Sequence, residues 1–442
     1  MSFRMTWIAS LLLLFTMSVG IAEDAAPAGP ALTRPEMKQR IEALKTRTSR
    51  LPLPALTADE LASGRRSVNN GRLRSIYLPE SWQSSSSSRG PRGAVPTGIA
   101  ATLNTLQQSP DYGFKTRLFW IVSRTNDCQY CLGHQELKLR RVGMTDDQIA
   151  SLDVRWDLFP DAEQAAMQAT RQLTMAPHRF GDAERTLLKK HFTDSEIIDI
   201  VQTVARYNAT NRWTASTGIP QDQSFGGDEP SQLDTPTSAE FSRLPSRVAP
   251  VDYQPRPEWE AREAVDAALA IARHREPAVE LPSMEIARQV LAADTPGAIP
   301  PVWFQAMANL PTSLASWKQR QALVRDGQTA PELRVLIEWV TARENRAWYA
   351  AGHAQARYVA LGRKAADLDS YSQLESLVTP AQAEALRFVR RLTSAPHTIG
   401  DADIARLREQ FTDHEVAEII QLTSEANAFS RFTEALQLPL EN

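Results

Sequence analysis

The chain has 442 residues and contains only two cysteines, three residues apart. Both cysteines lie in the segment 126–134, and His134 comes three residues after Cys131. Two thiols at this spacing can close a disulfide, and a helix N-terminus or a nearby imidazole can stabilise the attacking thiolate. Asp127 is expected to cap a helix here, which would place Cys131 and His134 one turn apart on the same face. The segment predicts dithiol redox chemistry.

Other sites also use a Cys-x-x-Cys pair, and the neighbouring residues weigh against each of them. A c-type haem site needs histidine directly after the second cysteine, where this chain has Leu132. A structural zinc site needs two more ligands; His134 and His178 could supply them, although no second Cys or His pair has finger spacing. A thioredoxin-like domain would place the pair among alternating strands and helices, whereas the surrounding pattern is helical. A redox role is therefore favoured.

The first 22 residues have the pattern of a secretory signal. Arg4 gives a basic start, an apolar run covers residues 7–19, and small residues precede an expected cleavage after Ala22. The run is shorter than the roughly 20 residues of a membrane-spanning helix, and an uncleaved anchor is the alternative. We expect export to the periplasm or the cell exterior, where disulfides persist and a dithiol needs an external reductant to cycle.

Length and charge narrow the function classes. A chain of this length is expected to form two or three domains. Its formal net charge of -3 gives no indication of nucleic-acid binding, which usually needs a clustered basic face. Two cysteines cannot form a disulfide scaffold, so hydrophobic cores must stabilise the fold and the pair is left for chemistry.

An internal repeat organises the chain. Residues 171–183 return 219 residues later as residues 390–402. The same offset, without gaps, relates further pairs: Gly143 and Gly362, Asn208 and Asn427, Arg212 and Arg431, Pro220 and Pro439. Two copies of one unit are therefore predicted over roughly 115–220 and 334–439. The paired asparagines and arginines are expected to brace helix ends or a subunit contact.

The repeat separates the cysteines from their neighbours. At this offset Cys128 and Cys131 fall on Ala347 and Ala350, so the second copy has no thiol. Other residues of the motif persist: Tyr130 as Tyr349, Gly133 as Gly352 and His134 as His353. A packing or hydrogen-bonding role would explain His134 without catalysis, and a catalytic role stays open. The recurrence of His178 as His397 favours a structural role for both.

The pattern predicts an all-α chain. Capping boxes begin at Thr145, Thr193, Thr379 and Thr412, with apolar residues at helical spacing in the segments that follow. No convincing alternating strand pattern appears. The predicted parts are the signal peptide (1–22), an N-terminal extension with helices and a Ser-rich loop (23–94), a cysteine-containing domain (95–220), a linker (221–256) and a second domain without cysteines (257–442).

The motifs resemble the alkylhydroperoxidase (AhpD-like) and carboxymuconolactone decarboxylase superfamily. The resemblance lies in residues 126–134, Gly143, residues 171–174 and residues 207–212. It covers both copies, the second being a degenerate version without the cysteines. It implies two AhpD-like helical bundles in tandem, and assembly into a homo-oligomer.

The resemblance implies a thiol-dependent peroxidase or thiol-disulfide oxidoreductase of peroxiredoxin type. Cys131 would attack a hydroperoxide, Cys128 would resolve the sulfenic acid as a redox-active disulfide, and an external thiol reductant would reduce it, with no bound cofactor or metal. In the family, a histidine four residues after the second cysteine and a glutamate about twelve residues before the first relay protons. This chain has Gln135 and Thr116 at those positions. His134 stands one residue early, which turns its side chain by about 100°.

Two other functions are compatible with the sequence. The lyase branch of the family acts on a small carboxylated lactone without cysteine chemistry, and histidines would then carry catalysis. A non-enzymatic module could instead use the disulfide as a redox switch for binding or scaffolding. For the leading interpretation the expected partners are a hydroperoxide or disulfide substrate, a thiol reductant and further copies of the chain, without nucleic acid.

Overall fold

A computed structural model describes residues 29–62, 70–82, 111–221, 237–250 and 255–441. Within these ranges the regular structure is entirely helical and no strand occurs, which confirms the all-α prediction. None of the described helices has both the length and the apolar character to span a bilayer. The predicted signal peptide, the Ser-rich loop and most of the predicted linker lie outside the described residues.

The helices are numbered here in chain order. Up to the cysteines they are α1 (Arg34–Ala43), α2 (Ala58–Ala62), α3 (Asn70–Tyr77) and α4 (Asp111–Thr125). The next are α5 (Gln129–Arg141), α6 (Asp146–Val154), α7 (Asp161–Met175), α8 (Asp182–Lys189), α9 (Asp194–Thr217) and α10 (Ala239–Ser242).

The remaining numbered helices lie after residue 255. They are α11 (Arg262–Arg273), α12 (Met284–Ala292), α13 (Val302–Ala306), α14 (Ser313–Asp326), α15 (Pro331–Asn345), α16 (Trp348–Ala360), α17 (Tyr371–Leu377), α18 (Pro380–Ser394), α19 (Asp401–Arg408) and α20 (Asp413–Ala435). Short 3-10 helices cover Leu44–Thr46, Trp156–Leu158, Pro177–Arg179, Ala365–Leu368 and Pro396–Thr398.

Four helix starts follow the capping boxes predicted from the sequence, whereas the start at the cysteines differs from its prediction. The four predicted threonine capping boxes are all formed. The expectation that Asp127 caps the next helix is wrong, because Cys128 is the N-cap residue of α5 and no side chain caps it. Asp127 instead adopts a left-handed backbone with φ 49°, and its carboxylate accepts a hydrogen bond from Gln129 Nε2 at 2.7 Å.

Two arginines on the longest helices, α9 and α20, make contacts that repeat at the offset of 219, the first with α18 and the second with α7. Arg212 Nη2 donates to the Thr393 carbonyl at 2.9 Å, and Arg431 Nη2 donates to the Thr174 carbonyl at 2.8 Å. Both guanidinium groups are buried. Reciprocal contacts of this kind are what a two-fold relation between two halves produces. Each acceptor carbonyl lies in the last turn of its helix. That the arginines brace helix ends or a subunit contact stays a prediction.

The N-terminal segment is tied to α5 through a buried carboxylate. Glu136 accepts hydrogen bonds from Arg34 at 2.9 and 3.0 Å, from Lys38 Nζ at 2.7 Å and from Trp120 Nε1 at 3.0 Å. Burial alone would raise the pKa of Glu136, but the charges of Arg34 and Lys38 hold it well below its usual range. Helix α1 thereby fixes the helix that carries the cysteines.

Candidate functional site

The two cysteines lie at the start of α5, directly after the turn that leaves α4. The amide of Cys128 donates to the Ser123 carbonyl at 2.8 Å, which folds this turn back onto the end of α4. The two sulfur atoms are 2.8 Å apart, and both residues are free thiols with only 2% of their surface exposed. The two sulfur atoms lie within one helical turn, close enough to exchange a proton or to form a disulfide.

Helix α9 supplies the polar groups that face the thiols. Thr214 Oγ1 lies 3.1 Å from Cys128 Sγ and 3.0 Å from Cys131 Sγ. Asn211 lies one turn earlier on α9 and also interacts with Cys131. Its amide is held by hydrogen bonds with Asn126 at 3.0 Å and with Ser123 Oγ at 3.2 Å. When a thiol loses its proton, these groups can donate hydrogen bonds to the sulfur.

This environment makes the two thiols chemically different. Burial raises the pKa of Cys128, and its hydrogen bond to Cys131 raises it further. Burial acts in the same direction on Cys131, but hydrogen bonds from Cys128, Thr214 and Asn211, together with the charge of Lys138, outweigh it and lower the pKa of this thiol. Cys131 is therefore the thiol of the pair that ionises first.

Aromatic side chains border the sulfur atoms on their apolar side. Phe119 and Tyr207 stack in parallel, with ring centroids 3.8 Å apart, and Phe119 forms a small buried cluster with both cysteines. Lys138 Nζ lies 5.9 Å from the Phe119 ring centroid. The site thus combines two thiols, an aromatic stack and a positive charge.

The catalytic candidate His134 and the residues at the family's relay positions, Gln135 and Thr116, bond within their own helices. His134 Nδ1 lies 2.9 Å from the Tyr130 carbonyl, and its ring packs on the Tyr130 ring at 4.3 Å. Gln135 Nε2 donates to the Cys131 carbonyl at 3.3 Å. Thr116 Oγ1 donates to the Tyr112 carbonyl at 2.7 Å. Each of these contacts reaches a backbone carbonyl one turn earlier, as is common for polar residues inside helices.

His178 lies in a separate cationic environment. It belongs to the 3-10 helix Pro177–Arg179, and its buried Nδ1 has no hydrogen-bond partner. Burial lowers the pKa of His178 to about 4, and the charges of Arg346 and Arg179 act in the same direction. Among the described residues, no group of three or more His, Cys, Asp or Glu side chains is arranged to hold a metal ion.

No site role is predicted from the sequence for the residues that surround the thiols, although Tyr207 and Asn211 lie in the segment 207–212 that carries the resemblance. The surrounding residues are Thr214, Asn211, Lys138, Phe119 and Tyr207, drawn from α4, α5 and α9. The repeat offers a signal that could have found most of them, because four change where the cysteines are lost: Asn211 to Ser430, Lys138 to Arg357, Phe119 to Glu338 and Tyr207 to Ala426. Thr214 keeps its identity as Thr433, so that comparison does not single it out.

Comparisons with known proteins find similarity over about a fifth of the chain. No family model matches. Uncharacterized protein YdfG of Bacillus subtilis (strain 168) is 26% identical over 101 residues, which is 22% of this chain and 68% of YdfG. Uncharacterized protein YnjA of Escherichia coli (strain K12) is 27% identical over 95 residues, 21% of this chain and 52% of YnjA. The match therefore spans about two thirds of one relative and about half of the other, and neither name states a function.

Proposed function

We propose that this protein is an exported thiol-dependent peroxidase or thiol-disulfide oxidoreductase of the AhpD-like type. The observation that carries the proposal is the pair of buried thiols 2.8 Å apart, of which Cys131 has a lowered pKa. A thiolate is the nucleophilic form of cysteine, and a second thiol within reach allows the oxidised sulfur to be resolved.

The proposed reaction has three steps. The Cys131 thiolate attacks the terminal oxygen of a hydroperoxide, the O–O bond breaks, and the alcohol leaves after taking up a proton. The resulting sulfenic acid is attacked by the sulfur of Cys128, which forms the disulfide and releases water. An external dithiol then reduces this disulfide and is itself oxidised.

Protons in this scheme pass through the groups that lie beside the sulfurs. The thiol of Cys128 and the hydroxyl of Thr214 are both within hydrogen-bond distance of Cys131 Sγ. Thr116 and Gln135 occupy the positions of the family's glutamate and histidine and bond to backbone carbonyls. Thr214 Oγ1 also donates to the Thr210 carbonyl at 3.0 Å, but it contacts both sulfurs as well, so we assign the proton transfers to Cys128 and Thr214. His134, whose Nδ1 lies 2.9 Å from the Tyr130 carbonyl, then positions Tyr130 and takes no part in the proton transfers.

We further propose that the chain contains two AhpD-like domains in tandem, with the second as a thiol-free partner. The reciprocal bonds of Arg212 on α9 to α18 and of Arg431 on α20 to α7 support this arrangement. In it, the second domain completes the packing around the helix that supplies Thr214. A redox-switched binding module is the second candidate, favoured by the 2% exposure of both cysteines, which restricts access to small reactants.

A hydroperoxide assay with a dithiol reductant tests the proposal. Wild-type protein should consume hydroperoxide catalytically, and Cys131→Ser should abolish this turnover because no thiolate remains to attack. Ala350→Ser is the matched control, since it introduces the same side chain at the corresponding position 219 residues later, and it should retain activity. The reaction of hydroperoxide with the reductant alone is subtracted. If wild type and Cys131→Ser then consume hydroperoxide equally, the proposed peroxidase function is overturned and the redox-switched binding module is favoured.

A further inference from the structure

The N-terminal extension brings a positively charged side chain close to the thiol site. Arg74 lies on α3, with its guanidinium carbon 5.1 Å from the ring centroid of Trp213 and 5.5 Å from that of Trp82. Its Nε is buried and has no hydrogen-bond partner. No carboxylate among the described residues forms an ion pair with it, which distinguishes it from Arg72 on the same helix, paired with Glu60 at 3.2 Å.

Helix α3 contacts Trp213, the residue next to the one that contacts both sulfurs. The indole nitrogen of Trp213 donates to Asn70 Oδ1 at the start of α3, and Arg74 covers the same indole one turn later. Trp213 immediately precedes Thr214, whose hydroxyl lies 3.0 Å from Cys131 Sγ. The charge of Arg74 interacts with both Cys131 and Tyr130. The extension is therefore part of the surroundings of the thiols.

Arg74 is half-buried, with its Nε removed from water, so a nearby negative charge would compensate for the hydration that its guanidinium has lost. Burial lowers the pKa of Arg74 to about 10, the like charge of Arg206 adds to this effect, and Glu425 opposes it. Glu425 itself is engaged with Arg206 at 2.8 Å. Buried charges are stable when they are paired, and an anionic sulfur at Cys131 would supply the missing charge.

We propose that Arg74 stabilises the thiolate of Cys131, so that the N-terminal extension completes the redox site. The other groups that face this sulfur are Cys128 and Lys138 with Tyr130 on the α5 side, and Thr214 and Asn211 on α9. Arg74 adds a cation from α3, on the side of the Trp213 indole. The inference rests on the proposed function for its meaning, but ionisation of Cys131 can be measured without any hydroperoxide, so the two can fail separately.

The test is a thiolate titration of the full chain in a Cys128→Ser background, where Cys131 is the sole thiol. The ultraviolet absorbance of the thiolate is followed against pH in four variants. Arg74→Gln and Arg74→Met remove the charge, and the methionine keeps an apolar stem between the two indoles should the glutamine variant not fold. Arg74→Lys keeps the charge. Arg72→Gln removes a charge from the same helix that is already paired with Glu60.

The proposal expects the Cys131 midpoint to rise by about one pH unit in Arg74→Gln and Arg74→Met, a tenfold loss of thiolate at neutral pH. Arg74→Lys should restore most of the shift and Arg72→Gln should leave the midpoint unchanged. An unchanged midpoint in both neutral variants overturns the proposal, as does an equal rise in Arg72→Gln, which would assign the effect to the docking of α3. An unchanged midpoint with weaker turnover of carboxylated but not neutral hydroperoxides would make Arg74 a substrate anchor instead.

Discussion

The region around Cys128 and Cys131 and the region around Ala347 and Ala350 have nearly the same backbone but different side chains. Helices α5 and α16 begin 219 residues apart, and the residues before their N-caps, Asp127 and Arg346, have φ of 49° and 50°. The polar bonds that hold α9 and α20 also recur at this offset. Four residues beside the sulfurs, Phe119, Lys138, Tyr207 and Asn211, have different counterparts in the second region. The recurring polar bonds therefore belong to the framework, and these four residues are candidates for the site.

The shared asparagines show what the framework requires. Asn208 Oδ1 accepts from Asn126 and its Nδ2 donates to Thr174 Oγ1, both at 3.1 Å. The counterpart Asn427 makes the same two bonds, with Asn345 and Thr393, at the same distances. Buried amides are retained where each polar atom has a partner, because an unpaired one would cost stability. None of these four bonds includes a sulfur atom, so they can persist in the region that has no cysteines.

The largest expected effect comes from moving the dithiol to the second region. We expect Ala347→Cys with Ala350→Cys, in a chain carrying Cys128→Ser and Cys131→Ser, to show no peroxidase turnover. Phe119 is replaced there by Glu338, whose buried carboxylate is bonded to Arg357 and would disfavour a nearby thiolate. Hydroperoxide consumption is the measurement, and thiol counting in denaturant verifies that the new cysteines are reduced. Restored turnover would mean that two cysteines on this backbone suffice.

Removing the buried arginine should lower the free energy of unfolding equally in either copy of the repeat. Arg212→Met and Arg431→Met each remove bonds to a carbonyl of the other half and to the side chain of Asn208 or Asn427. We expect each to lower the free energy of unfolding by about 3 kcal/mol, since buried acceptors lose a charged donor. Urea unfolding measures this. A loss confined to one variant would contradict the equivalence of the two contacts.

The sequence predicted the helical framework better than the surroundings of the thiols. Capping boxes at Thr193 and Thr412 depend on local spacing, and both formed. The glycines at 133 and 352 are explained only by long-range packing, since a Cβ there would collide with Gln221 and Leu440 respectively. Thr214 lies more than eighty residues after the cysteines, and Arg74 more than fifty before them. Side chains that the fold brings together over such separations leave no local pattern in the sequence. The family positions therefore point to Thr116 and Gln135 instead of Thr214.

A smaller effect should separate Thr214 from its counterpart Thr433. Reactivity of Cys131 should rise with pH through a midpoint below the ordinary cysteine value of about 8.5, because its pKa is lowered and the thiolate is the reactive form. Thr214→Val removes the hydroxyl beside both sulfurs and should move this midpoint upward, slowing alkylation at neutral pH by up to about tenfold.

Thr433→Val is the matched control for this experiment. Its hydroxyl donates to the Phe429 carbonyl within α20, far along the chain from either cysteine. The alkylation rates of Thr433→Val should be the same as in wild type. They are measured from about pH 6 to about pH 10, a range that brackets the ordinary cysteine pKa of about 8.5. If both valine variants slow alkylation alike, general loosening of the helices and not the hydroxyl contact controls the thiol.

The smallest expected effects concern the histidines that persist in both regions. His134 packs on Tyr130, and His353 packs on Tyr349 with ring centroids 4.6 Å apart, but His353 Nε2 also lies 2.9 Å from Glu441 Oε2. We expect His353→Gln to lower the free energy of unfolding by at most about 1 kcal/mol, because the lost contact is partly exposed. His134→Gln should change stability by a similar or smaller amount and leave the Cys131 titration midpoint unchanged. Urea unfolding and thiolate absorbance measure the two quantities. A shift of the Cys131 titration midpoint in His134→Gln would show that His134 takes part in the chemistry of the first region. His353 would then have only a structural role.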